Sequence, residues 1–81
     1  MMNKKNKVVK ELENFFEKRD GKEALKNLRK KNLIKDGLID SLDILTLSVI
    51  LQKKFNYKVN LNNSRTLKSF EKFDKIVSLI K

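Results

Sequence analysis

Seven of the ten residues from Leu42 to Leu51 are apolar, and neither proline nor glycine interrupts the chain from Asp40 to Phe55. A strand is the competing reading for the short run at 47–51, but sixteen residues without a breaker favour a helix. Two rows at helical spacing pass through it: Leu42, Leu45 and Val49, then Ile44, Leu47, Leu51 and Phe55. The helix is therefore apolar round more than one face.

The rest of the chain has the same period. Val8, Val9, Leu12, Phe15 and Phe16 form one face of an N-terminal amphipathic helix, which the Arg19-Asp20-Gly21 turn sequence ends. A short helical piece follows over residues 22–31, with Leu25 and Leu28 on one side, and Leu33 and Ile34 read as anchors for an irregular connection. Residues 56–64 are polar and Asn-rich, suited to a loop with at most one short turn, and Val59 and Leu61 are its isolated apolar points. Leu67, Phe70, Phe73, Ile76, Val77 and Ile80 predict one last amphipathic helix, with Thr66 or Ser69 to cap it. The expected fold is an all-α single domain over residues 1–81, with three main helices and short helical pieces.

Size and composition exclude much. Eighty-one residues support a thin core and are too few for a cleft between two layers. There is no cysteine, so no disulfide or thiolate site forms, and no histidine, the commonest general base and metal ligand. No apolar run reaches bilayer length, and the basic start at residues 1–10 has no apolar stretch of the signal-peptide kind behind it. The expected location is cytoplasmic, with no stable membrane insertion.

The net charge is +10, with seventeen Lys, three Arg and nine Asn, a bias that composition alone explains. Residues 4–35 hold twelve Lys or Arg against five acids, and Lys22, Lys26, Arg29 and Lys30 would make a basic stripe on one helical face. A nucleic-acid module is the competing function from another class. It lacks zinc ligands, a helix-turn-helix spacing and aromatic residues interleaved with the basic ones, so no nucleic-acid partner is expected.

Against this basic background Asp36, Asp40 and Asp43 fall within eight residues, and no basic residue occurs from Asp36 to Gln52. Asp40 suits an N-cap, and Asp43 stands three residues on, where a capping-box acid belongs, although Asp reaches less well than Glu. Ser41 is then a small first-turn residue. As a nucleophile it would need a base, and only a dyad with Lys35 is conceivable. The three carboxylates do not follow the spacing of a calcium loop. Modification by another enzyme is the third option, since a helix N-terminus favours a phosphate ester.

The wider stretch decides among these. Leu33 and Asp36, then Asp40-Ser41-Leu42-Asp43, then Leu47, Leu51 and Phe55 at helical spacing, and Val59 beyond, resemble the acyl carrier proteins. That family carries a 4′-phosphopantetheine arm on the serine of an Asp-Ser-Leu motif. The resemblance is close over residues 33–81, looser in the last helix, and limited to an amphipathic helix before residue 33. It implies an acyl-carrier-type helical bundle that is monomeric and not itself an enzyme. Ser41 would be the attachment site, loaded from coenzyme A by a phosphopantetheinyl transferase. The thiol of the arm would hold acyl or aminoacyl groups as thioesters for activating and transferring enzymes. Asp40, Leu42 and Asp43 would flank the arm, and Leu42, Asp43, Ile44 and Val49 would meet partners. The family's recognition helix is typically acidic, whereas here Thr46, Gln52, Lys53 and Lys54 follow the motif and no acid appears between Asp43 and Glu71. That departure suggests a specialised pathway, with Leu42, Ile44 and Val49 carrying more of the recognition. The remaining alternative is an unmodified, carrier-like interaction module.

Overall fold

A computed structural model describes residues 4–80. Helix α1 spans Lys4–Asp20, α2 Ser41–Phe55, α3 Ser64–Ser69 and α4 Phe73–Leu79, with a 3₁₀ turn at Lys22–Leu25. No strand occurs among the described residues. The predicted stop after α1 is present, with Gly21 at φ 85°, a left-handed conformation that costs glycine least.

Helices α1, α2 and α4, the connection between α1 and α2, and Phe70 just past the end of α3 feed one core. Val8, Leu12 and Phe16 from α1 meet Leu47 and Leu51 from α2, and Phe73, Ile76 and Val77 from α4. Leu28, Leu33, Ile39, Phe70 and Ile80 close the cluster. Arg19 of α1 pairs with Asp43 of α2, and Glu11 pairs with Lys54 at 3.4 Å. These contacts run in opposite chain order, so α1 and α2 are antiparallel. Helix α4 packs on α1 and α3. No helix among the described residues is long and apolar enough to cross a membrane.

Three sequence expectations are corrected. The single last helix is two, because the backbone leaves the helix at Lys72 (φ −127°, ψ 134°). The Glu71 carbonyl accepts from the Leu33 N–H at 2.6 Å, and the Glu71 carboxylate accepts from Asn32 Nδ2 at 3.3 Å. The Glu71 carbonyl thus bonds across 38 residues, while the Lys75 and Ile76 N–H groups turn to the Lys72 carbonyl and start a new helix. The cap of this region is Asn63, whose side chain accepts from the N–H groups of Arg65 and Thr66. Neither Thr66 nor Ser69 serves as cap, and Ser69 Oγ instead donates back to the Arg65 carbonyl. The Asn63-Ser64 pair was the local signal, since Asn caps as well as Ser.

The second correction concerns the basic stripe. The helical piece ends at Leu25 and Asn27 takes a left-handed conformation (φ 61°), so Lys22, Lys26, Arg29 and Lys30 do not share a helical face. Lys26 pairs with Glu23 at 3.2 Å, and Arg29 lies 3.7 Å from Asp74 and over the Phe73 ring at 5.1 Å. Of the two expected anchors, Leu33 is buried while Ile34 is 37% exposed. Ile39 takes the second place, because the N–H groups of Leu38 and Ile39 both donate to the Leu33 carbonyl and fold the connection inward.

Candidate functional site

The site is built at the head of α2, where the acids of the sequence lie. The three aspartates do not converge on a common point. Asp36 Oδ2 accepts from the Asn32 N–H at 2.9 Å, while Asn32 Oδ1 accepts from the N–H groups of Ile34 and Lys35. This reciprocal local bonding, with Gly37 at φ 75°, turns the chain toward Ile39 without forming a helix. No group of three or more metal-ligating side chains comes together among the described residues.

Asp40 is the N-cap of α2, and the box closes in both directions. Its Oδ1 accepts from the Asp43 N–H, and Asp43 Oδ2 accepts from the Asp40 N–H, both at 3.0 Å. The shorter acid therefore reaches after all. Asp43 has a further role with no local signal: the Arg19 guanidinium is paired with it. Its side chain is only 16% exposed, so the carboxylate binds α1 to α2 before it is available to anything outside. Arg19 had one clue, its place in the last turn of α1 beside the chain reversal, but no spacing rule links residues 19 and 43.

Asp40 is held below its ordinary pKa of 3.8, first by the hydrogen bond from the Asp43 backbone, with Asp43's side chain, the Leu42 N–H and Arg19 adding to it. A carboxylate whose folded pKa is depressed stabilises the fold above its ordinary value, and that contribution disappears as the pH falls through the lowered one. Asn caps as well as Asp but has no charge to lose. Asp40→Asn should therefore melt below wild type at neutral pH. The gap should close as the pH falls below the ordinary carboxylate value and through the lowered one, in a series of thermal melts. A gap that stays constant across that range would remove Asp40 ionisation from the stability of the cap.

Ser41 is the first residue of α2 and is exposed. Its hydroxyl has no hydrogen-bond partner among the described residues. Helical hydroxyls beyond the first turn do: Thr46, Ser48, Ser69 and Ser78 all donate to the carbonyl four residues back, at 2.7–3.0 Å. A first-turn serine has no such carbonyl in its own helix, so position alone frees it. Ser64 stands at the equivalent place on α3, but that helix has six residues and no buried side chain.

The side chains around Ser41 divide clearly. Leu42 is 71% exposed and Val49 50%, both on the outer face of α2. Ile44 packs against the core and is half-buried, which leaves it a structural residue first. Leu45, absent from the expected contact set, is as exposed as Val49. A groove of about 460 Å³ opens between α1 and α2, floored by Phe15 and Ile50 and rimmed by Lys18, Arg19, Asp43 and Lys54. Compared with known proteins, the chain matches no family model, no curated protein and no solved structure.

Proposed function

We propose that the protein is an acyl carrier, a bundle of the acyl-carrier type that holds acyl or aminoacyl groups as thioesters on a 4′-phosphopantetheine arm at Ser41. The observation that carries the reading is the free, exposed hydroxyl at the head of α2, held in place by the reciprocal Asp40–Asp43 bonds. The chain has no histidine to activate that hydroxyl, which fits a residue acted on by another enzyme. In the loading step the serine oxygen bonds the phosphorus of the pantetheine phosphate. The adenosine bisphosphate half of coenzyme A leaves, and the serine proton passes to a base of the transferase.

The local electrostatics tolerate the product. A phosphodiester at the start of a fifteen-residue helix sits at the positive end of its dipole. Two carboxylates stand close by, but Arg19 offsets one of them. Leu42 would present an apolar contact beside the arm, and Asp40 a carboxylate to the transferase.

Intact-mass measurement after incubation with coenzyme A and a broad-specificity phosphopantetheinyl transferase tests the proposal. One added arm is expected, and none without coenzyme A. Wild-type protein that stays unmodified by a transferase competent on a control carrier overturns it.

A further inference from the structure

The outer face of α2 carries a ridge that nothing in the fold covers. Leu42, Leu45 and Val49 are 71%, 50% and 50% exposed and recur at i, i+3 and i+7, so they form one continuous apolar row. Single exposed apolar residues are ordinary, but three in a row on one helix face mark a contact surface. Lys53 continues the row one turn beyond Val49 and makes no ion pair among the described residues.

The charges that bear on this ridge have one sign. Asp40 is exposed but stands before the row, at the N-cap, and Asp43 is held by Arg19 and the Asp40 N–H. No Asp or Glu occurs from residue 44 to residue 70. A partner bordered by cations would meet no free carboxylate along the row and would face a like charge at Lys53. A partner bordered by carboxylates meets the opposite charge there and an apolar row to cover. A second copy of this chain is a poor occupant, because each molecule carries +10. An anionic bilayer calls for cations on both flanks of the row, where Thr46 and Gln52 stand.

We propose that Leu42, Leu45, Val49 and Lys53 form a docking surface for a protein whose matching face is apolar at its centre and acidic at its border. The row is roughly 16 Å long, about eleven helical rises from Leu42 to Lys53, which fits one side of a short helix or groove. The proposal deepens the carrier reading, since a partner seated there lies beside Ser41. The contact itself needs no arm.

Synthetic amphipathic helical peptides serve as the partner, titrated into the unmodified, isotope-labelled full chain and followed by backbone amide shifts. One peptide has an apolar stripe bordered by Glu, a second the same stripe bordered by Lys, and a third is a Glu-rich scramble without a stripe. The Glu-bordered peptide should move the amides of residues 42–53, with affinity falling as salt rises from about 50 to about 300 mM. The Lys-bordered peptide should leave them in place, and the scramble should not select α2. Lys53→Glu should weaken the first peptide on the order of fivefold. The Leu45→Ser/Val49→Ser double variant should weaken it about tenfold or more while melting close to wild type, because both side chains are half exposed. Equal binding of the Glu- and Lys-bordered peptides overturns the proposal, as do shifts confined to other elements or indifference to the double variant. Anionic vesicles that move residues 42–53 when the peptide does not would overturn it in favour of a membrane surface. Arm transfer takes no part in these measurements, so their failure and the failure of loading at Ser41 are separate results.

Discussion

Ser41→Ala should take up no phosphopantetheine under conditions that, on the proposed function, load the wild type to completion, and its stability should stay within about 0.5 kcal/mol of wild type. Both halves of that expectation come from the same geometry. The Ser41 hydroxyl makes no bond that the fold would miss, and alanine is a good first-turn residue. The cap does not pass through this side chain, because Asp40 and Asp43 bond each other's backbone N–H groups across it. Removing the hydroxyl therefore removes the acceptor of the arm and little else. Ser64→Ala is the matched control: it also deletes a serine hydroxyl at the first position of a helix, and it should load fully. Mass spectrometry of the intact variants, with melts on the same samples, reads both quantities. Loading that persists in Ser41→Ala moves the attachment point and withdraws the proposed function from the head of α2.

How much of this was legible before any coordinates depends on the range of the interactions. The Asp40 cap, its partner three residues on and the buried row Leu47–Leu51 are consequences of helical period and of chemistry within one turn, and a sequence displays both. The core contribution of Leu12, Phe16, Phe73 and Ile76 follows in the same way. What the pattern missed was set by contacts between distant segments. Phe70 and Phe73 keep helical spacing on paper, yet between them the backbone turns extended at Lys72, where the Glu71 carbonyl bonds the distant Leu33 N–H. Asp43 looked like a free docking acid because Arg19 is 24 positions earlier, and only the antiparallel packing of α1 on α2 brings the two together. The two apolar rows of α2 were visible, but which of them faces solvent depends on where α1 and α4 lie. That distinction also separates Ile44 from Val49, which lie in different rows but were grouped in the expected contact set.

Phe16→Ala should leave the protein largely unfolded, whereas Leu42→Ala should be almost silent. Phe16 is fully buried and stands edge-on to Phe15, with ring centroids 5.3 Å apart and planes at 89°. Truncating a buried phenylalanine costs about 3–5 kcal/mol, through lost transfer energy and the cavity left behind. A domain of 81 residues has a total stability of roughly 4–12 kcal/mol, so the loss takes most of it at the lower end. The three helices meeting at Phe16 cannot close the gap easily, since Leu12 one turn away and Leu47 and Leu51 opposite are themselves in contact with the core cluster. Phe16→Leu keeps part of the volume and should cost about 1–2 kcal/mol, which leaves a fold whose urea midpoint is measurable. Leu42 has the same hydrophobic character in the sequence but is 71% exposed, and its truncation should cost less than about 0.5 kcal/mol. Urea unfolding followed by far-ultraviolet circular dichroism ranks the three variants. If Leu42→Ala proves as damaging as Phe16→Leu, the outer row of α2 is packed in solution, and neither the apolar contact beside Ser41 nor the docking ridge has a free surface to act on.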